Sequence, residues 1–541
     1  MKHYPAVKTG RLPRGDSLQE GKRNFWMKKQ QGSGVKTKCA SSQSEQSSWF
    51  TINWNKCERR VKKLQARIVK AQQEKRYGKV KSLQRILVTS FDAKALAIKR
   101  VTSNKGKRTA GVDKVKWTTS EAKFKAIVSL KRRGYKPKPL KRVYIDKSNG
   151  KKRPLGIPTM QDRAMQALYL MALEPVTETN ADDNSYGFRR KRATADAIDA
   201  LHRLLSKKCS PEWILEGDIK GCFDHINHQW LINNVQIDKI ILAKWLTSGV
   251  VFNKILTPTK EGTPQGGIIS PTLANATLDG MEKLVKEKYP KKFIGKGKVY
   301  CPKVNLVRYA DDFVVTAECK EILEDIKILL TDFLARRGLE LSEEKTLITH
   351  ISNGFDFLGF NIRKYNEKLL IKPAEKSQKK ITEKLHEIVF SNKSVSQCYL
   401  IKSLNPVITG WGNYFKHVVS KVVFAKIDHI LVGQLKRWAF RRHNNKSKRW
   451  VLNKYFKSEN NRNWVFKDTL EREDEKYVFK LKKLTDIPIT RHQKIRCDAN
   501  PFDPQWDRYF EYRSSKPLSG LCPEAFINFS RFKFAKVVES V

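Results

Sequence analysis

The chain is 541 residues long, 40% of them hydrophobic, and it carries 108 Lys and Arg against 54 Asp and Glu, a formal net charge of +54. The length excludes a single compact core, the hydrophobic fraction excludes a wholly disordered chain, and no apolar run is long enough to predict a membrane span. The positive charge is spread along the whole sequence and favours a polyanionic partner, because each phosphate contact releases counterions, whereas solubility alone needs far less charge.

Cysteine usage and the N-terminus indicate where the protein works. The nine Cys include no C-x-x-C pair, so a zinc ribbon is unsupported, and their scattered placement fits free thiols in a reducing compartment. The first 34 residues are basic and polar without an apolar centre, which argues against a secretion signal. We therefore expect a protein of the bacterial cytoplasm or of an organelle interior, not a secreted one.

The N-terminal part divides into a tail and a helical region. Residues 1–50 are rich in Lys, Gly, Ser and Gln and are predicted to be a disordered basic tail. Helical spacing of apolar residues begins at Asn55, which with Glu58 resembles a capping box, and resumes after an interruption at Gly78. A helical pair is predicted, whose basic outer faces suit either a solvated bundle or an RNA-binding surface.

A hairpin is predicted next. Strand-like residues lie on both sides of Asn149-Gly150, a strong signal for a tight turn. Lys151 and Arg153 follow the turn, where they can reach a triphosphate, although a solvated turn has a similar composition.

A helix and a short strand follow the hairpin. The apolar spacing over residues 162–173 predicts a helix that Pro175 ends. Residues 213–218 then read as a strand ending in the carboxylate of Asp218, with Gly221 marking a turn. A carboxylate at a strand end is well placed to share a metal with a neighbouring hairpin, but it also suits a helix cap or turn.

Residues 262–271 predict a loop that leads into a helix. The paired glycines allow the backbone to approach a flat ligand, and Gln265 offers both a donor and an acceptor. Ser270 is predicted to be the N-cap and Pro271 the first helical residue, in a helix that continues through Val285. An ordinary strand-to-helix loop would look the same.

Two adjacent carboxylates, Asp311 and Asp312, interrupt an apolar, β-branched run over residues 304–316. The pattern predicts a hairpin with the acids at its bend. Like charges at adjacent positions repel one another, and a divalent cation would remove that conflict. The alternative is a solvated hairpin tip, where Asp is common.

The last third of the chain is mainly helical and then basic and aromatic. Residues 322–337 predict a helix, and helical patterns dominate from residue 372. Residues 446–513 interleave cations with rings, a composition that suits a bound single strand or a bent duplex. A small core explains the rings equally well, but not the charge.

Together these stretches describe a site for phosphoryl transfer. Asp218 and Asp311 would hold two Mg²⁺ ions, one lowering the pKa of a 3′-hydroxyl and one neutralising pyrophosphate. Basic residues near Arg153 would bind the triphosphate. Such chemistry needs positioning and charge neutralisation rather than a side-chain nucleophile.

The motifs carry a family resemblance. Tyr309-Ala310-Asp311-Asp312 resembles the signature of reverse transcriptases. The wider set resembles group II intron-encoded reverse transcriptase/maturases, in order over roughly residues 51–513. Its motifs lie at residues 153–158, 185–189, 218–224, 263–275, 357–359 and, for the maturase (thumb) domain, 404–415.

This resemblance implies an α+β right-hand polymerase with fingers, a palm with an antiparallel sheet and a helical thumb, plus a helical N-terminal extension and a small basic C-terminal module. It implies an RNA-directed DNA polymerase that also acts as a maturase, binding intron RNA and promoting its splicing and mobility. The implied partners are intron RNA, target DNA and dNTPs, and the implied cofactor is two Mg²⁺ ions. The implied segments are a tail (1–50), an N-terminal extension (51–135), fingers and palm (136–365), a thumb (366–445), a DNA-binding module (446–513) and a short tail (514–541).

Site residues follow from the same resemblance, position by position. The catalytic and metal-binding carboxylates are Asp218, Asp311 and Asp312, with the Ile219 carbonyl also on a metal. Phe223 occupies the steric-gate position that excludes a ribose 2′-hydroxyl, and Gln265 contacts the nascent base pair. The residues expected to contact the nucleotide are Lys151, Arg153, Phe223, Gln265 and Lys345, the last as the proton donor to pyrophosphate.

One departure and two rival functions remain. Longer relatives continue into a nuclease domain bearing His and Cys, whereas residues 514–541 contain one Cys and no His. We therefore expect a form without that endonuclease domain, or a truncated reading frame. The rivals are an RNA-binding splicing cofactor with a dead polymerase, which the intact carboxylates argue against, and a host-adapted reverse transcriptase, which the thumb motif argues against.

Overall fold

A computed structural model describes the chain from residue 48 to residue 515. Its ranges are 48–146, 150, 152–252, 255–259, 261–263, 266–295, 298–459, 462–472 and 475–515. Nearly all of the predicted basic tail, the predicted C-terminal tail from residue 516, Asn149 of the predicted turn, and the predicted site residues Lys151 and Gln265 lie outside these ranges.

Helices and sheets alternate along the described residues. The helices are α1 (Trp54–Gln73), α2 (Tyr77–Thr89), α3 (Phe91–Ser103), α4 (Ser120–Ser129), α5 (Met160–Asn180), α6 (Thr194–Leu205), α7 (Cys222–His225), α8 (His228–Asn234), α9 (Lys239–Leu246), α10 (Ser270–Leu278), α11 (Met281–Lys288), α12 (Lys320–Ala335), α13 (Glu375–Ser391), α14 (Gln397–Phe415), α15 (Lys421–Arg441), α16 (Lys448–Tyr455) and α17 (Asp507–Ser514). The strands are β1 (Leu140–Asp146), β2 (Lys152–Ile157), β3 (Trp213–Asp218), β4 (Val250–Phe252), β5 (Ile255–Thr257), β6 (Lys292–Gly295), β7 (Lys298–Tyr300), β8 (Asn305–Tyr309), β9 (Asp312–Ala317), β10 (Leu347–His350), β11 (Phe355–Phe357), β12 (Phe360–Tyr365), β13 (Lys368–Pro373), β14 (Phe456–Glu459), β15 (Arg462–Arg472) and β16 (Glu475–Lys480). Across the described ranges, no helix has both the length and the apolarity needed to cross a bilayer.

Three helices, α1 to α3, take the place of the predicted pair. The first is capped by Asn53, whose side chain accepts from the Lys56 N–H at 2.9 Å, so the predicted cap at Asn55 is wrong by two residues. Gly78 lies in the first turn of α2 and does not interrupt a helix. The predicted interruption lies instead at residues 74–76, between α1 and α2. A second, unpredicted break falls at Ser90, whose hydroxyl caps α3 by accepting from the Ala93 N–H at 3.2 Å.

The long helix α5 continues through Pro175, which was predicted to end it. A proline has no N–H to donate to the carbonyl four residues earlier. That carbonyl, on Met171, instead accepts from Gln65 Nε2 of α1 at 2.8 Å. The packing of α1 against α5 therefore supplies the hydrogen bond that the proline removes.

Two sheets lie beside this helical core. The predicted hairpin is confirmed as β1 and β2, antiparallel, in a sheet of order β2-β1-β4-β5. The central sheet has the order β10-β3-β9-β8 with every neighbouring pair antiparallel. Its strands are buried on both faces: Leu215 and Val315 pack into the N-terminal core, and Ile214 and Val314 pack into a second, C-terminal core.

The helix predicted after residue 269 is in fact two. α10 ends at Leu278, and Gly280, with φ +98°, precedes α11. The N-cap is Ile269, and Ser270 is the first helical residue, so the predicted cap is wrong by one position.

The second core is formed by the sheet β11-β12-β13, helices α13–α16 and the sheet β14-β15-β16. Tyr455, Phe456 and Phe466 of the basic aromatic segment are buried in it, which supports the small-core interpretation for these rings. Trp450 and Trp464 remain exposed, at 42% and 44%.

Residues 487–515, called here the return segment, run back from the C-terminal helices to the N-terminal half. The buried carboxylate of Asp196, in α6, accepts from His492 Nε2 at 2.9 Å, from the Ile495 N–H at 2.8 Å and from the Arg513 guanidinium at 2.5 Å. At the far end, Lys62 of α1 pairs with Asp507 at 2.8 Å. The return segment therefore ties the two halves together.

Candidate active site

Three carboxylates meet at one end of the central sheet. Asp218 is the last residue of β3, and Asp312, the first of β9, is its direct cross-strand partner. Asp311 lies in the two-residue turn between β8 and β9. The predicted hairpin is therefore confirmed, and it brings the predicted catalytic acids together.

Burial and mutual repulsion make this cluster electrostatically costly. Burial, followed by the charge of Asp218, raises the pKa of Asp311. Burial and the charges of Asp311 and Asp218 together raise the pKa of Asp312. Bringing a cation to these oxygens would remove the repulsion.

A lysine already contacts the cluster. Lys345 Nζ lies 2.7 Å from Asp218 Oδ2, and this hydrogen bond raises the pKa of the lysine. The side chains of the described residues include no group of three or more His, Cys, Asp or Glu arranged to hold a metal. The donors that converge here are nevertheless all oxygens, the set that a hard cation such as Mg²⁺ takes, so the residues fit that ion.

The turn that carries Asp311 is fixed from behind by a buried arginine. Arg308 is fully buried in β8, pairs with Asp279 at 2.5 Å, and donates to the Ala310 carbonyl at 3.3 Å. Ala310 itself has φ +60°, a left-handed conformation that a non-glycine residue rarely adopts. The guanidinium therefore holds a strained residue immediately before the acids.

Close backbone contact supports the same turn from the other side. The Tyr186 N–H donates to the Arg308 carbonyl at 2.9 Å. A Cβ on the next residue, Gly187, would lie 2.2 Å from the Ala310 nitrogen. Only a glycine fits here, and Asn275 Nδ2 fixes it by donating to its carbonyl at 2.8 Å.

Sequence reasoning assigned no role to Arg308, Gly187 or Asn275. A signal existed for the arginine, since it is a charged residue inside an otherwise apolar strand next to the acids. Its partner Asp279 lies 29 residues earlier, at the end of α10. No local pattern links the two.

The predicted nucleotide side of the site is formed by α7 and the loop before α10. The Phe223 ring is partly buried and packs edge-on against Phe188, with ring centroids 6.1 Å apart. The Phe223 carbonyl accepts from the Thr263 N–H at 2.6 Å. A Cβ on Gly266 would lie 2.7 Å from the Gly156 carbonyl oxygen of β2, so the loop lies between α7 and the hairpin β1-β2.

Two further predicted residues flank the acids. Arg153 is exposed on β2, and its charge acts on Asp311 in the direction that lowers the pKa of that acid. Ile219 pairs with Leu341 in an isolated β-bridge. The hydrogen bonds of this bridge are made by Asp218 and Lys220, on either side of Ile219, so the Ile219 carbonyl takes no part in them. The structure thus gathers Arg153, Ile219 and Lys345 around the acids.

Comparison with known proteins identifies the family. Three family models match, described as reverse transcriptase (RNA-dependent DNA polymerase) over residues 145–362, N-terminal domain of reverse transcriptase over 49–130, and group II intron, maturase-specific domain over 378–456. Protein YkfC from Escherichia coli (strain K12) is 33% identical over 319 residues, 52% of this chain and 83% of YkfC. The chain belongs to the group II intron-encoded reverse transcriptase/maturases.

Other proteins of group II and organelle introns are similar over comparable stretches. Group II intron-encoded protein LtrA from Lactococcus lactis subsp. cremoris is 36% identical over 331 residues, 50% of this chain and 54% of LtrA. An uncharacterized 91 kDa protein in the cob intron of Schizosaccharomyces pombe is 27% identical over 433 residues, 65% of this chain and 53% of that protein. The matched stretch thus spans about half the length of both.

The family predicted from the motifs of this reverse transcriptase/maturase is therefore confirmed. The carboxylates, Arg308, Gly187 and Phe223 all lie within the reverse transcriptase match. The individual roles of the site residues and the predicted domain boundaries remain predictions.

Proposed function

We propose that the protein is the RNA-directed DNA polymerase of a group II intron and also its maturase, binding the intron RNA and promoting its splicing and mobility. The observation that carries the proposal is the meeting of Asp218, Asp311 and Asp312 at one end of the central sheet, in a chain that also matches the maturase-specific domain. Its substrates are dNTPs, its partners intron RNA and target DNA, and its place of work a bacterial cytoplasm or an organelle interior.

The proposed hand-like organisation follows from the order of the elements. The hairpin β1-β2 with β4 and β5 serves as fingers, the central sheet as palm, and α13–α15 as thumb. Asp218 ends β3 shortly before α7 begins, and the charge of Arg153 on β2 acts on Asp311, so a primer end and a triphosphate would meet there.

Each site residue has a proposed task. Asp218, Asp311 and Asp312, with the Ile219 carbonyl, would hold Mg²⁺, which when bound activates the 3′-hydroxyl and neutralises the developing pyrophosphate. Arg153 binds the triphosphate by charge, and Lys345, now on Asp218, is close enough to donate a proton to the leaving group. Phe223 closes the space beside the sugar 2′ position.

The decisive experiment separates polymerisation from RNA binding. Asp311→Ala is expected to abolish primer extension on an RNA template and to leave affinity for intron RNA nearly unchanged, because the acid contributes to chemistry and not to phosphate contacts. Asp332→Ala, the same change on an exposed position of α12, serves as the control and should extend primers normally.

Two results would contradict the proposal. If wild-type protein binds intron RNA and assists splicing but never extends a primer, the chain is a splicing cofactor with an inactive polymerase. If Asp311→Ala extends primers at the wild-type rate, the acids are not the site of polymerisation.

A further inference from the structure

Trp464 is held in a conformation that its side chain disfavours. It lies in β15 with φ +65°, and 44% of it is exposed. The pairing of β14 with β15 shifts register between Lys457 and Glu459, opposite this residue. Such β-bulges re-aim a side chain, and a bulky residue with positive φ is a genuine outlier that points to function.

The indole lies at the edge of a groove between α15, β15 and the chain after β16. The floor of the groove is apolar, and its rim carries lysines. The floor residues are Leu431, Val432, Phe466 and Leu481, and the rim lysines are Lys480, Lys482 and Lys483. An apolar floor with a few charged groups at the rim is typical of a small-ligand site.

Acidic side chains also line the groove, but the carboxylate of Asp428 is already engaged. Its oxygens accept from the Leu484 N–H at 2.9 Å and from the Thr485 N–H at 2.9 Å. Asp486 lies in the same wall. Asp428 therefore orders the chain after β16, and the three lysines of the lining outnumber its two carboxylates.

Two cations are placed to meet an anion beside the ring. Lys436 Nζ lies over the Trp464 ring, 4.4 Å from its centroid, so a stacking base would take the place of this flexible side chain. Lys482 is exposed on the rim. Lys480 is less available, because it pairs with Glu459 at 2.6 Å. An exposed ring with flexible cations beside it is the arrangement by which proteins hold unpaired nucleotides.

We propose that this groove binds one unpaired nucleotide of the nucleic-acid partner, with its base stacked on the Trp464 indole and its phosphate held by Lys436 and Lys482. The net charge of +54 makes a phosphate the complementary ligand. The inference rests on the proposed function only in taking nucleic acid as the partner. It adds a base-stacking position on the C-terminal half of the molecule, away from the carboxylates.

The test measures binding of fluorescent oligonucleotides to the full chain. Trp464→Asn removes the ring but suits the left-handed backbone, so the variant should fold, and Trp464→Tyr retains a ring. The Asn variant is expected to bind single strands roughly 5- to 150-fold more weakly, the loss typical of one stacked base, and the Tyr variant to bind nearly normally. Binding of a blunt duplex should change little, since its bases are already stacked.

Two matched variants sharpen the result. Trp450→Ala removes an equally exposed indole that also has lysines over its ring but does not line the groove. Because the groove is needed in addition to the ring and the cations, this variant should leave single-strand affinity near the wild-type value. Lys482→Gln should lower the slope of log affinity against log salt by about one phosphate contact. A 5-iodouridine placed in the single strand should cross-link to the peptide that contains Trp464.

RNA and DNA strands of the same sequence, tested side by side, tell which partner uses the position. The inference is overturned if Trp464→Asn binds both strands like the wild type, or if it weakens duplex and single strands equally. It is also overturned if Trp450→Ala causes the same loss of affinity, since an exposed ring outside the groove would then bind single strands equally well. A wild-type protein that shows the binding contrast but no primer extension would count against the proposed polymerase function alone.

Discussion

Gly187 packs directly against the turn that carries Asp311. A Cβ there would lie 2.2 Å from the Ala310 nitrogen, a distance that forces the backbone apart. Gly187→Ala is therefore expected to cost about 1–3 kcal/mol of stability, as overpacking usually does. It should slow primer extension by about 100-fold, because small displacements of catalytic groups are expensive.

A second glycine provides the control. Gly433 lies within α15 and nothing would contact its added Cβ, so Gly433→Ala should stabilise the protein by about 0.5–1 kcal/mol and leave extension unchanged. Denaturant unfolding and single-nucleotide extension would be measured on both variants. Extension by Gly187→Ala at the wild-type rate would show that the close contact is dispensable.

Phe223 supplies the second residue-scale prediction. Its ring is partly buried against Phe188, and we expect it to exclude a 2′-hydroxyl. Phe223→Val should raise incorporation of ribonucleotides relative to deoxyribonucleotides, measured by primer extension with each set. Phe188→Leu removes the neighbouring ring but leaves Phe223 in place, and it should largely keep the discrimination. Unchanged sugar choice in Phe223→Val would reject the assignment.

The cluster of three carboxylates was predictable from sequence, whereas the residues that support it were not. Asp218 and Asp312 end and begin apolar strands, so their meeting follows from how strands pair. Arg308 was not predicted to act, because its role depends on Asp279 and on the Ala310 carbonyl, contacts that only the folded chain creates. Lys345 was placed in the site by resemblance, but its contact with Asp218 was not foreseen.

At the scale of elements, the helix boundaries predicted from local sequence were wrong at Ser90 and at Pro175. The apolar spacing runs on through Ser90, so the sequence read α2 and α3 as one helix although the serine caps the second. Pro175 was predicted to end α5. The helix continues because Gln65 donates a hydrogen bond to the Met171 carbonyl from 106 residues away along the chain, a contact that local sequence does not reveal. The hairpins β1-β2 and β8-β9 and the strand β3 were predicted, whereas β14–β16 were not, because their segment showed only a basic and aromatic composition.

The junction between α6 and the return segment gives the element-scale prediction. Burial alone would raise the pKa of Asp196. The hydrogen bond from His492 and the charge of Arg513 outweigh burial and hold that pKa below its ordinary value. A carboxylate with a depressed pKa stabilises the folded state above its unfolded pKa, about 3.9, and this contribution is lost as the pH falls through the folded value. Asp196→Asn should therefore cost about 3–5 kcal/mol at pH 7, as breaking a buried pair does.

Acid should reduce the difference between wild type and Asp196→Asn, because below about pH 4 the carboxylate binds a proton in the unfolded chain before it does so in the folded protein. Thermal unfolding between pH 7 and pH 3 would measure it. Asp199→Asn changes an acid of the same helix that pairs with the exposed Arg203, and it should cost less than about 1 kcal/mol. A difference that stays constant down to pH 3 would show that the ionised carboxylate does not hold the return segment.

For the whole molecule, the charge is the dominant property. With a net charge of +54, binding of intron RNA should weaken steeply as salt rises, since log affinity falls with log salt in proportion to the phosphates neutralised. A salt titration of RNA affinity would measure this slope, with an uncharged nucleoside ligand as the control. A flat titration would mean that the charge serves another purpose.

The bond between Asp196 and the return segment also has a consequence for the timing of synthesis. His492 and Arg513 are made 296 and 317 residues after the acid that they neutralise. At translation rates of about 5–20 residues per second, Asp196 waits on the order of 15 to 60 s on the ribosome before its partners emerge. During that interval the charge of Asp196 is not yet balanced by His492 and Arg513, and the closure of the N-terminal half at this point depends on residues made about 300 positions later.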